Sequence, residues 1–129
     1  MRQPSVQLEN LAYRVIGAAI EVHQVLGAGF LDEVYHKALR EEFVIRAIPY
    51  EFEHPVKVHY KGRSVGEDKL DFLVGDSLIV ELKAVQNLTP IHEAQVLSYL
   101  KMTHYPLALL INFNVPLLKD GIKRIILSS

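Results

Sequence analysis

Three charged residues near the middle of the chain, Asp71, Glu81 and Lys83, have the types and order of a site for chemistry. The run Leu78-Ile79-Val80-Glu81-Leu82-Lys83 reads as a strand. Alternation along it puts Glu81 and Lys83 on one face and Val80 and Leu82 on the other. A carboxylate and an ammonium beside such hydrophobic neighbours are costly unless they pair or bind something. Asp71 lies in the preceding strand. A turn with an odd number of residues, such as Gly75-Asp76-Ser77, sets Asp71 opposite Glu81 on the same face; a two-residue turn sets it opposite Val80, on the wrong face. Two carboxylates so placed make a hard-oxygen site suited to Mg²⁺ or Mn²⁺, ions that keep several waters and take one or two protein carboxylates. Such an ion can polarise a phosphodiester and lower the pKa of a bound water, and Lys83 would stabilise the charge that develops. Spacing alone leaves a second reading equally open: a solvated strand face with a cross-strand ion pair.

The elements that must position these residues show in the hydrophobic pattern. Leu8, Leu11, Ala12, Val15, Ala19, Val22 and Leu26 recur at helical spacing, and Gly27 and Gly29 stand where a left-handed cap would end that helix. A second helix carries Leu31, Val34, Tyr35, Ala38, Leu39 and Phe43 on its apolar face. Ile48 to Glu53 and Val56 to Tyr60 read as strands broken by Pro55, followed by a turn at 61–64 and strands at 69–74 and 78–84. Thr89-Pro90 opens a third helix that runs to about His104. Leu107 to Asn112 is a fully apolar strand and Ile122 to Leu127 the last. An apolar strand directly after a helix predicts a crossover and a mixed central β-sheet flanked by helices, an α/β fold.

Composition narrows the chemistry. Half of the 129 residues are hydrophobic and 22% are charged, which fits one folded domain over residues 1–129. With no cysteine, disulfides, zinc–thiolate sites and thiol catalysis are excluded. Met1 to Asn10 has no apolar signal-peptide core, and no apolar run approaches a bilayer span, so a cytoplasmic, non-membrane address is expected. The net charge of −1 weighs mildly against a dedicated nucleic-acid binder, although a local basic groove can sit on a neutral protein. His92-Glu93 lacks the second histidine of a zinc-protease helix, and Gly27-Ala28-Gly29 lies between helices and not after a strand, so it is a helix stop and not a dinucleotide loop.

Asp71 followed by Glu81-x-Lys83 resembles the PD-(D/E)XK nuclease superfamily, whose members share a restriction-endonuclease-like core. Gln95-x-x-x-Tyr99 resembles the helix motif that RecB-type members place beside the active site, and its spacing puts both side chains on one helical face. Gly29-x-x-Asp32-x-x-Tyr35, Ala38-Leu39, Leu110-Ile111-Asn112-Phe113 and Lys119 to Arg124 together resemble the small bacterial GxxExxY proteins over nearly the whole chain. The family's namesake glutamate is Asp32 here, Leu70 precedes Asp71 where proline is common, and Lys69 stands where arginine is expected. The resemblance implies Asp71 and Glu81 as metal ligands with Asp32 as an added one, Lys83 as charge stabiliser, and Gln95 and Tyr99 beside them. It does not supply a substrate.

These residues bring in the rest. Asp32 projects to the edge of the apolar face and Glu33 away from it, though an acid in a first helical turn also complements the helix dipole. His36, one turn after Asp32, is expected to pair with it. Glu42 projects into the apolar face as a buried structural acid, and Glu21 is a weaker candidate for the site. The expected function is a Mg²⁺- or Mn²⁺-dependent nuclease acting on DNA or RNA. Two alternatives stand beside it: a non-catalytic binding or assembly module that retains the nuclease fold, and a hydrolase of small phosphorylated molecules. So small a chain has little surface to grip a duplex, which gives a homodimer or a partner subunit a place.

Overall fold

The computed structural model describes residues 4–127. Helix α1 spans Val6–Leu26 and α2 Asp32–Ile45; strands β1 (Tyr50–Tyr60), β2 (Arg63–Val74) and β3 (Leu78–Lys83) follow; α3 (Pro90–Thr103) leads to β4 (Leu107–Asn112), and a 3₁₀ turn at Leu118–Gly121 to β5 (Ile122–Ile125). The five strands form one sheet in sequence order. β1–β2–β3 and β4–β5 pair antiparallel, and β3–β4 pair parallel. A parallel pair needs a crossover, and α3 is that crossover.

The sheet is covered on both sides. α1 and α2 pack Val15, Ala19, Tyr35, Leu39 and Phe43 against Phe72, Val80, Leu82, Leu109 and Ile111. α3 packs Val96, Tyr99 and Leu100 against Leu70, Ile79, Ala108 and Leu110 on the other side. β3 and β4 lie between, so their sequences read as near-continuous apolar runs; every residue of β4 is buried. The two clusters also show how β3 divides: Val80 and Leu82 enter the α1–α2 layer, Ile79 the α3 layer.

Tyr35 ties α2 to the loop before it. Its hydroxyl donates to the Gly27 carbonyl at 2.7 Å and accepts from the Phe30 N–H at 3.2 Å, while its ring stacks on Phe113. Gly29 in that loop has φ 105°, a conformation that glycine adopts without cost. The Gly29 and Tyr35 positions of the motif therefore hold an interhelical corner in place.

Strand bounds differ from the pattern expected: β3 ends at Lys83 and not Ala84, β5 ends at Ile125 and not Leu127, and β1 and β2 differ more. β1 runs unbroken through Pro55, because β1 is the sheet edge and its outward side needs no ladder N–H. β2 begins at Arg63 and not Lys69: Ser64, Gly66, Glu67 and Asp68 have weak strand propensity, but pairing with β1 from Tyr60↔Arg63 onward holds them extended. Glu42, expected to be buried, is only half-buried and pairs with Arg46 at 2.6 Å.

Candidate active site

β2 and β3 are joined by Gly75-Asp76-Ser77, with Val74 opposite Leu78. Their ladder runs through Leu73↔Ile79 to Phe72↔Val80 and goes no further. At the next step Asp71 and Glu81 face each other, and side chains replace the missing ladder. Glu81 Oε2 accepts from the Asp71 N–H at 2.5 Å, and Asp71 Oδ2 accepts from the Leu82 N–H at 2.8 Å. The strands therefore open at the two carboxylates, each of which caps the other strand's freed backbone donor. On the far side of β2, Glu53 adopts a left-handed backbone (φ 57°) opposite Asp71, so β1 is also distorted at this level.

Electrostatics at the split are unfavourable without a cation. Glu81 is 4% exposed. Burial, and then the neighbouring charge of Asp71, push its carboxyl up from 4.5 to about 8; the Asp71 N–H and Lys83 pull the other way, and Asp68 adds a smaller upward push. Lys83 closes β3, half-buried, paired in the ladder with Asn112. Asn112 is buried and binds both the N–H and the carbonyl of Val85, which fixes the chain as it leaves β3.

α3 brings Tyr99 to the same place. Burial first, then the charge of Glu81 and a hydrogen bond with Asp68, hold the Tyr99 proton well above the usual phenol range. Gln95, one turn earlier, is exposed on α3. Asp32 is exposed in the first turn of α2, where it complements the helix dipole.

His36 does not turn back to Asp32. Its Nε2 lies 3.1 Å from Asp71 Oδ2, an electrostatic contact without a formed hydrogen bond. The cause is packing: the imidazole lies against the rings of Phe52 and Phe72, which aims it down at β2. One turn on, the Arg40 guanidinium lies 4.2 Å over the Phe52 ring, with its Nε buried and without a partner among the described residues. Sequence reasoning missed His36, Arg40 and Asp68 as neighbours of the site. The spacing 32–36–40 puts all three α2 residues on one helical stripe, and that was the signal for the first two.

A family model described as the PD-(D/E)XK nuclease superfamily matches residues 9–125. The chain belongs to the PD-(D/E)XK nuclease superfamily. Its mixed five-stranded sheet flanked by helices is the α/β, restriction-endonuclease-like architecture of that superfamily. Comparison with curated proteins and with solved structures found no match. Superfamily members generally use divalent metals, and the donor set here can be tested against one. Among the described residues no three His, Asp or Glu side chains converge as a ready cage. A pair of carboxylates with an imidazole beside them is nonetheless within what Mg²⁺ or Mn²⁺ takes, since such ions keep waters in the remaining positions. Glu81, buried with the Asp71 carboxylate facing it, is the observation in favour: a cation beside it would offset both the burial and the repulsion that push its carboxyl up. The residues fit. Two of the larger hollows, about 430 Å³ each, lie elsewhere, one at the C-terminal end of α1 and one beside its N-terminal end.

Proposed function

We propose that the chain is a divalent-metal-dependent nuclease whose site is the opening between β2 and β3. The observation that carries this is the facing pair Asp71 and Glu81 where the ladder stops, with Lys83 on the same strand as Glu81. Asp71 and Glu81 would hold Mg²⁺ or Mn²⁺, with Asp32 or a water it binds as a further contact. The bound ion would supply Lewis-acid polarisation of the phosphodiester. Lys83 stabilises the charge on the transferring phosphate. His36 orients Asp71 through the contact to Oδ2. Arg40, whose guanidinium Phe52 holds in place, would offer its terminal N–H groups to a phosphate oxygen. Tyr99 keeps its proton and so can act as a hydrogen-bond donor, and Gln95 faces solvent one turn away, placed to meet substrate.

Two of the larger hollows lie away from the acidic pair, at the two ends of α1, which supports a polymer over a small phosphorylated molecule held in an enclosed pocket. Within the superfamily, the chain reads as a GxxExxY protein in which Gly29 and Tyr35 serve the α1–α2 corner. A homodimer or partner subunit would extend the grip on nucleic acid. The test is cleavage of single- and double-stranded DNA and RNA with Mg²⁺ or Mn²⁺, alongside Lys83→Ala prepared identically. Metal-dependent cleavage lost in the variant is the expected result. Cleavage that survives in the variant would place the chemistry elsewhere, and no cleavage of any substrate would favour the binding module.

A further inference from the structure

β1 and β2 continue well past the body of the sheet. Val56 is buried against α3, but every residue from Lys57 to Lys69 is exposed or half-buried, and none of them belongs to either core cluster. Over this stretch the two strands stay paired, from Lys57↔Glu67 to Tyr60↔Arg63. The result is a two-stranded ribbon standing out from the sheet. At about 3.3 Å per residue, ~30 Å of strand separates Gly62 at its tip from Asp71 at its base.

The ribbon's composition departs from that of the chain. The whole protein carries a net charge of −1, yet between residues 57 and 69 Lys57, Lys61, Arg63 and Lys69 stand against two acids, Glu67 and Asp68, both towards the base. Tyr60 is 62% exposed and Val65 61%. The tip turns on Lys61 and Gly62, both with positive φ, 49° and 81°. That is the geometry of a tight hairpin turn, whose first position asparagine or glycine fills at less cost than lysine. A lysine there, stacked at 5.4 Å over Tyr60, sets a cation at the tip of the ribbon. A register shift after Val58 adds twist to the ribbon. Cross-strand partners share a face, and Val56 and Asp68 are partners at the base, beside Tyr99. One strand thus carries Arg63, Asp68 and Asp71, from basic tip to acidic pair.

We propose that this ribbon grips double-stranded DNA, lying in the major groove and leading the bound duplex toward the β2–β3 opening. A two-stranded ribbon fits the major groove of B-DNA, about 12 Å wide, and the free stretch from Lys57 to Gly62, ~17 Å at about 3.3 Å per residue, follows that groove for about half a helical turn. The deep, narrow major groove of duplex RNA does not admit it. Lys57, Lys61 and Arg63 contact phosphates. The inference rests on the nuclease reading only for where the duplex leads; binding itself needs no metal.

The test is equilibrium binding of a labelled DNA duplex of about two helical turns, in EDTA and over a range of salt, by wild type and by the double variant Lys61→Glu/Arg63→Glu. Both residues are exposed, and matching thermal melts would show the fold intact. Wild type is expected to bind with affinity falling steeply between about 50 and 200 mM salt. The variant is expected to bind at least about tenfold more weakly, with the slope of log K against log salt reduced by about two. Equal affinity and slope in the two proteins, no binding by wild type, or equal binding of duplex RNA would each overturn the proposal. The metal-dependent cleavage experiment decides the nuclease reading separately, so failure of one does not entail failure of the other.

Discussion

Removing the Glu81 charge should stabilise the metal-free protein, and it should do so only at high pH. In the unfolded chain the Glu81 carboxyl titrates near 4.5; in the fold, burial and Asp71 raise it to about 8. Between those values the folded state holds a proton that the unfolded state has released. Stability therefore falls as pH rises through this window. Below about 4.5 the group costs nothing, and above about 8 the loss is complete. At 1.36 kcal/mol per pH unit, the interval corresponds to roughly 4–5 kcal/mol, a large part of the 5–15 kcal/mol that holds a small domain together. Glu81→Gln keeps an acceptor for the Asp71 N–H but carries no charge. Urea unfolding in EDTA at pH values on either side of the window would measure the effect. Wild type should lose several kcal/mol between them beyond what Glu81→Gln loses, the subtraction removing every other titration. Mn²⁺ should restore wild type most at the upper pH, because ligands bind metal deprotonated. If wild type and Glu81→Gln showed the same pH dependence, the description of the site as an unrelieved carboxylate pair would be refuted.

Other predictions follow from single contacts. Tyr35→Phe leaves the Gly27 carbonyl and the Phe30 N–H without their partner and should cost about 1–3 kcal/mol in urea unfolding. Gly121→Ala would set a Cβ 2.2 Å from the Asn112 carbonyl oxygen, a clash with backbone; a large fall in melting temperature is expected, and an unchanged melt would contradict the close approach of the 3₁₀ turn at Leu118–Gly121 to the end of β4. Arg40→Ala should raise KM for nucleic acid more than it lowers kcat, while its lost contact with Phe52 costs about 0.5–2 kcal/mol of stability, read by steady-state kinetics and thermal melting together.

Much of this molecule could be read from residue order. The face of α1 repeats its apolar residues at helical spacing, and β4 is apolar throughout because both helical layers cover it. The opposition of Asp71 and Glu81 follows from strand alternation and a three-residue turn, both local features. What was hidden depends on partners distant in sequence. Ser64 to Asp68 has no strand signal of its own, and its extended form comes from pairing with β1. Pro55 breaks a strand by propensity but is tolerated at an outer edge. His36 has an acid one turn before it, so helix geometry favours Asp32; only packing against Phe52 and Phe72 turns the ring to Asp71. Asp68 is an exposed acid on a strand and cannot be told from a solvated one until α3 sets Tyr99 beside it.

The central claim is that the opening between β2 and β3 holds a divalent cation. Mn²⁺ binding followed by electron paramagnetic resonance near neutral pH tests it without reference to any substrate. Wild type should bind Mn²⁺ saturably, with binding lost in Asp71→Asn and in Glu81→Gln while both variants remain folded. Saturable Mn²⁺ binding that both variants retain, or no Mn²⁺ binding by wild type at all, would contradict it.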